Sequence, residues 1–321
     1  MSILITGVAG FVGSNLLKTL ITRGETVFGF DNFCRGGLSN VEPLLDHPQF
    51  SFVKVDLCNV EAYREALMRL HATEPVSEVW HLAANSDIPA GVTDAYVDLR
   101  DTFMTTFNTL QLMKELGIDV ITFASSSAIY GNLMDLKLVE DVGPLFPISN
   151  YGAMKLASEA VISAAVESFL GRAYIFRFPN VIGTPATHGV MLDFINKLKK
   201  SPNNLEVLGD GTQMKNYLHV DELIDAMMFI RARSHERVNY FNIGSDDEGV
   251  TVKRIAEEVI EVVAAGASIT YGEGNKGWVG DVPKFSYSID KLRRLGWAPR
   301  LGSMEAVRLA VRQIAHQEGC A

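Results

Sequence analysis

The chain has 321 residues, of which 47% are hydrophobic and 21% charged, enough for one large domain or two unequal lobes around a continuous core. Lys+Arg is 29 and Asp+Glu is 38, a formal net charge of −9. That balance argues against non-specific nucleic-acid binding and a basic membrane-facing surface, while leaving room for a local basic patch that holds a phosphate.

In chain order, residues 2–6 read as a buried strand, followed by a glycine turn and a helix over 14–22. Further short strands are expected at 26–30, 50–55, 78–82, 120–124 and 172–178, with helices at 60–70, 94–116 and 151–169. Strands alternating with helices imply an α/β fold built on a mainly parallel, doubly wound sheet of the Rossmann type. After Asn180 the rhythm changes: a Gly/Pro loop, a basic-ended helix at 190–200, a strand at 205–208, a turn at 209–211, and helical patterns at 252–263, 289–295 and 304–316. Residues 1–180 are therefore expected to form the Rossmann domain, with later segments returning to it. Residues 181–321 should form mainly a smaller C-terminal substrate-binding lobe, interleaved with the first.

Cys34, Cys58 and Cys320 show no recurring short spacing, which argues against a disulfide scaffold or a thiolate metal site and for a reducing compartment. The opening MSILITGVAGFVG has no basic leader before a signal-type apolar run, and no stretch is long and apolar enough to span a bilayer. The expectation is a cytoplasmic protein with no metal, no nucleic-acid partner and no membrane partner.

Gly7, Gly10 and Gly13 form GVAGFVG directly after the first strand and before a helix. Glycines there let the backbone turn tightly and approach a diphosphate at the helix N-terminus. Asp31 ends the second strand, eighteen residues beyond Gly13, where a carboxylate accepts hydrogen bonds from a ribose diol and repels a 2′-phosphate. That points to NAD, although nearby Arg35 would tolerate the extra phosphate. Asp56 is placed either to meet the adenine edge or to cap the next helix. His81 lies in an apolar run and reads as a core histidine. Small residues after it in HLAA permit close approach of a cofactor.

Tyr151 and Lys155 form YxxxK at a helix start, on one face by i,i+4 spacing. An ammonium near the phenol, with a positive nicotinamide close by, is expected to favour phenolate and lower the tyrosine pKa. Such a tyrosine removes a hydroxyl proton as hydride leaves the carbon. Ser125, Ser126 and Ser127 end a strand upstream, and spacing alone does not choose which of them hydrogen-bonds the substrate oxygen.

These residues, with DNFCRGG, VDL, HLAA, SSSAIYG, YGAMK, RFPNVIG, GDGTQMKNYLHVDE, FNIGS and GDVP…LGW, resemble the extended short-chain dehydrogenase/reductase family across nearly the whole chain, specifically its nucleotide-sugar epimerases and dehydratases. The resemblance implies that Gly7, Gly10, Phe11, Val12 and Gly13 cradle NAD, with Asp31, Asn32 and Arg35 at the adenosine ribose and Asp56 and Leu57 at the adenine. It also implies that Leu82, Ala83, Ala84 and Ser86 line the inner cofactor groove, that Ala124 and Pro179 are cofactor positions, and that Lys155 binds the nicotinamide ribose. Counting four residues back from Tyr130, the family's active hydroxyl falls on Ser126.

Family dehydratases and decarboxylases tend to carry an acidic residue just after that hydroxyl. Here the chain reads Ser126-Ser127-Ala128, and Ala128 cannot shuttle a proton. The resemblance therefore implies epimerisation at C4 through a 4-keto sugar, with UDP-glucose/UDP-galactose as the default pair. A 4,6-dehydratase or another sugar-nucleotide oxidoreductase is the alternative, and a non-catalytic NAD-binding regulatory protein the alternative of another class. Ser86, Ser126, Ser127, Tyr151, Asn180, Val190, Lys215 and Lys276 form the expected substrate set. Lys215 stands where the family usually has Arg, and Trp278 replaces the usual Arg before GDVP, with Lys276 as a stand-in cation. Thr105-Thr106-Phe107-Asn108-Thr109 departs from the family's Asn-x-x-Gly-Thr. The helices at 94–116 and 151–169 resemble the family's dimer-forming pair, so a homodimer is expected.

Overall fold

A computed structural model describes residues 2–133, 136–274 and 286–320. Seven strands form the central sheet: β1 (Ser2–Thr6), β2 (Thr26–Asp31), β3 (Phe50–Lys54), β4 (Val76–His81), β5 (Val120–Ser126), β6 (Arg172–Phe178) and β7 (Val238–Asn242). Their spatial order is β7-β6-β5-β4-β1-β2-β3. The chain lays down β1, β2 and β3 in one direction, then returns to the other side of β1 for the rest. β1 pairs in parallel with both β2 and β4, Thr6 lying opposite Phe30 on one side and His81 on the other. This reversal creates a crevice outside the carboxyl ends of β1 and its neighbours, the general ligand position in such sheets. β1 is buried at every residue, which is why it reads as an uninterrupted apolar run.

The chain divides into two compact units, the first comprising Met1–Gly131, Leu145–Arg177 and Met227–Phe241. Leu4, Phe30, Tyr63, Val79, Met113, Ile121, Phe123 and Ile162 belong to its apolar core. Each fully buried side chain of this size is worth roughly 1.5–3 kcal/mol relative to exposure. The second unit comprises Asn132–Pro144, Phe178–Ala226 and Asn242–Ala321. There the helix Val190–Lys200 buries Met191, Phe194, Ile195 and Leu198, a spacing that puts one apolar stripe inward. That stripe shares a core with Leu205, Ile255, Val259, Val311 and Ile314.

One expected element is corrected. The helix at 94–116 is three pieces: Ala95–Asp98, a π-helical stretch Leu99–Met104, and Thr105–Leu116. Thr105 and Thr106 turn their hydroxyls back onto carbonyls, with Thr105 Oγ1 donating to Asp101 O and Thr102 O and Thr106 Oγ1 to Thr102 O. Such back-bonding competes with regular helical geometry, and single π turns tend to sit beside functional sites. Among the described residues no helix is long and apolar enough to cross a membrane.

Candidate active site

The glycine turn is dictated by packing. Gly7 has φ +72, and a Cβ there would lie 2.8 Å from Ala83 N, while one on Gly13 would lie 2.1 Å from Gly7 O. Gly10 caps the helix Phe11–Thr22 without any side-chain hydrogen bond, and no acidic residue occupies the first turn. The helix amides at that end are thus left to an anion, with the positive end of the helix dipole behind them. Phe11 and Val12 are half-buried in this turn.

Asp31 holds the turn from β2: its Oδ2 accepts from Ala9 N at 2.9 Å and its Oδ1 from Phe33 N at 2.8 Å. Burial raises its pKa, and the backbone bonds oppose that shift. Both oxygens keep acceptor capacity, since a carboxylate offers about four lone-pair sites. Asn32 Oδ1 accepts from Cys34 N. Asp56 Oδ1 accepts from Cys58 N, and the next helix is capped by Asn59, so the capping alternative for Asp56 falls. Leu57 is buried, and its carbonyl accepts from Asn108 Nδ2 at 2.9 Å. That bond gives the asparagine departing from the family pattern a task in this chain. The residues present fit an NAD cradle.

His81 is buried, bonded to Thr6 Oγ1 and Thr106 Oγ1, and burial pushes its pKa down to about 3. It is a neutral core histidine, as its sequence surroundings suggest. Leu82, Ala83 and Ala84 leave the end of β4 half-buried, and Ser86 is exposed. Arg35 is committed to Asp87, Nη2 to Oδ2 at 2.6 Å.

The three serines part company. Ser125 is buried and donates to the Glu159 carboxylate. Ser126 accepts from Ala128 N at 3.1 Å and lies near enough to Tyr151 to act against the rise of its pKa. Ser127 opens the short 3-10 turn Ser127–Tyr130. Tyr151 sits in the first turn of the helix Asn150–Ser168, which Ser149 caps through Gly152 N. One helical turn on, Lys155 is buried and donates from Nζ to Ala124 O at 2.6 Å, 4.7 Å from the Phe123 ring centroid and 5.8 Å from that of Tyr151.

The chain's own groups hold the phenol in its neutral form. Burial pushes Tyr151 up to about 12, Ser126 opposing it and the Asp98 charge adding to it. Burial pushes Lys155 down to about 7, with Glu159 and Asp98 opposing. In the protein alone the lysine does not deliver a phenolate, because desolvation acts on both groups.

Sequence reasoning missed two carboxylates. Glu159 lies one turn beyond Lys155, continuing the 151–155 spacing, and is locked to Arg177 by Nη2–Oε2 at 2.7 Å and Nε–Oε1 at 3.0 Å. That spacing was a usable signal. Asp98 is buried, accepts from Asn85 Nδ2 at 2.8 Å through Oδ1, and raises the pKa of both Tyr151 and Lys155. No motif marks it.

In the second unit, Asn180 begins a short strand paired in parallel with Tyr217–His219, and its Nδ2 donates to Asn216 O at 3.4 Å. Lys215, in the neighbouring ladder, pairs with Val250. Asn180 and Lys215 are thus brought close in one unit. Val190 starts its helix, and Pro179 packs at Gly244, where a Cβ would lie 3.0 Å from the proline ring. Lys276 and Trp278 lie outside the described residues.

A family model described as the NAD dependent epimerase/dehydratase family matches residues 3–244. A putative UDP-glucose 4-epimerase of Methanocaldococcus jannaschii is 27% identical over 314 residues, covering 96% of this chain and 97% of its own. A crystal structure of UDP-galactose 4-epimerase is 31% identical, with a TM-score of 0.85 and 99% coverage of both chains. The Thermus thermophilus UDP-glucose 4-epimerase in complex with NAD is 26% identical, with a TM-score of 0.84, covering 98% of this chain and 99% of that one.

Proposed function

The chain belongs to the NAD dependent epimerase/dehydratase family, and we propose that within it the chain epimerises a nucleotide-activated sugar at C4, with UDP-glucose and UDP-galactose as the first pair to test. The observation that carries this reading is the meeting of Ser126, at the end of β5, with Tyr151, whose pKa it holds down, with Lys155 one turn away and Ala128, not an acid, close to the serine. Ser126 positions the sugar 4-hydroxyl and Tyr151 takes its proton. When bound, NAD would supply the hydride acceptor as NAD⁺ and the donor as NADH, and its oxidised ring would supply positive charge that favours the phenolate. After the 4-keto sugar reorients, Tyr151 returns the proton to the opposite epimer. Such turnover consumes no cofactor.

Gly7, Gly10, Gly13, Asp31 and Asp56 are assigned to the cofactor, and Asn180 and Lys215 to the substrate diphosphate. A Lys at 215 supplies charge without a guanidinium's bidentate fork. The UDP preference is supported by the names of the relatives above. Homodimer formation through the segment 95–116 is supported by its exposed Tyr96, Leu99 and Phe107, and light scattering at twice the chain mass checks it. Action in the cytoplasm is supported by three unpaired cysteines.

The test is product NMR and mass on a panel of UDP-, GDP-, CDP- and dTDP-sugars. An epimer of unchanged mass supports the reading, and loss of one water refutes it in favour of dehydration. Tyr151→Phe should lower turnover by about 10²–10⁴-fold, the usual share of a general base, while NAD still binds. Undiminished turnover would reject the proposed role of Tyr151.

A further inference from the structure

Arg35 and Asp87 stand on opposite sides of the glycine turn. Arg35 follows β2 and Asp87 follows β4, and both strands pair in parallel with β1 without pairing with each other. Neighbouring strands lie about 4.8 Å apart, so the two loops start roughly 9.6 Å from one another with the end of β1 between them. Their side chains nevertheless meet at 2.6 Å. The Arg35 loop is fitted onto the turn it crosses: a Cβ on Gly36 would lie 2.2 Å from Ala9 O, and Asn40 Nδ2 donates to Ala9 O at 2.8 Å. On the far side, Asp87 is held by its backbone, its N–H donating to Asn85 Oδ1 and its carbonyl accepting from Asn85 Nδ2. Its two carboxylate oxygens divide their work. Oδ1 caps the turn Ile88–Thr93 by accepting from Ala90 N at 3.1 Å, and Oδ2 takes Arg35.

We propose that the Arg35–Asp87 ion pair is a strap across the dinucleotide crevice that slows release of NAD and withholds Arg35 from the 2′-phosphate of NADP. Asp31 repels a 2′-phosphate directly, and the strap removes the one compensation that Arg35 offers. The inference rests on the reading that NAD lies against Gly7–Gly13.

Asp87→Asn separates the two duties, because asparagine caps a helix about as well as aspartate but carries no charge for Arg35. The chain is loaded with NAD, freed of excess, and chased into alcohol dehydrogenase with ethanol, whose NADH signal reports release. NADP binding is measured by competition. Arg35→Gln, the double variant Arg35→Gln/Asp87→Asn, and Gly10→Ala complete the set. Gly10→Ala adds a methyl at the diphosphate approach.

Each single strap variant should release NAD about three- to fivefold faster, the scale of a part-exposed ion pair. The double variant should be no faster than either single, the signature of one shared interaction. Asp87→Asn should bind NADP severalfold more tightly, while Arg35→Gln and the double variant should not. Release rates in both singles within about twofold of the parent, with Gly10→Ala impaired in NAD binding, would overturn the strap and leave the crevice reading standing. Unchanged NAD binding in Gly10→Ala would overturn both. Additive acceleration in the double variant would also overturn the strap, because the two residues would then act separately.

Discussion

Lys155 gives the sharpest test of the site's electrostatics. Its ammonium is buried against Phe123 and Ala124, and burial lowers its pKa from 10.5 to about 7, Glu159 and Asp98 holding it up only in part. Between those two values the unfolded chain carries a proton on this lysine that the folded chain does not. Unfolding therefore takes up a proton, and stability rises with pH across that window. Below about pH 7 the lysine is protonated in both states and the full cost of burying its charge remains. Lys155→Met removes the titration while keeping a long apolar side chain. At about 1.36 kcal/mol per pH unit for one full proton, and with the folded lysine still half protonated at pH 7, NAD-free wild type should gain about 2 kcal/mol on the Met variant between pH 7 and pH 9. Urea unfolding of both proteins across that range measures it. A stability gap that stays constant with pH would refute the argument, and one that moves the other way would show that the folded chain holds the lysine proton more tightly than the unfolded chain does.

Two further substitutions probe the neighbouring carboxylates. Glu159→Gln leaves Arg177 buried without its carboxylate, and should destabilise the chain by about 3–5 kcal/mol in chemical denaturation, the usual cost of breaking a buried pair from one side; a loss under about 1 kcal/mol would mean that Ser125 and Tyr130 suffice to hold that cluster. Asp98→Asn keeps an oxygen for Asn85 Nδ2 but removes the charge that raises the Tyr151 pKa, so the acid limb of the kcat–pH profile should move to lower pH; a limb that stays in place or moves up would show that Asp98 does not act on the phenol.

The sheet was legible because its strands are short apolar runs separated by helical periodicity, and Ser2–Thr6 and Arg172–Phe178 fall where the pattern places them. The glycine turn was legible because Gly7 and Gly13 answer to contacts that any side chain would violate. The break at Leu99–Met104 was not, since periodicity cannot register three threonines that spend their hydroxyls on carbonyls or on His81 and Asn85. Asp98 escaped for a related reason: a carboxylate near the end of a short helix looks solvated until the fold buries it. Ser126 was selected only by family counting, whereas the fold separates the serines by what each one bonds. The direction of the Tyr151 shift could not be read from YxxxK, because spacing reports which groups are near and not how dry they are.

That dryness joins the site's chemistry to the proposed strap. At neutral pH the isolated chain holds a phenol pushed up to about 12 beside an amine pushed down to about 7, so Tyr151 is protonated and Lys155 only partly charged. Neither arrangement suits a base that must take a hydroxyl proton. The missing ingredient is positive charge delivered to a buried place, where low effective dielectric makes one charge count for more than it would in water. A Tyr151 that is competent only while oxidised cofactor lies beside it gains nothing from rapid exchange of that cofactor, and epimerisation returns the cofactor oxidised after every turnover. Slow release then carries no catalytic penalty in this reaction, whereas a reductase that must swap spent cofactor each cycle would be slowed by it. Retention through Arg35 and Asp87 therefore sits better with epimerisation than with net oxidation or reduction, a preference that comes from the loops after β2 and β4 and is independent of Ala128.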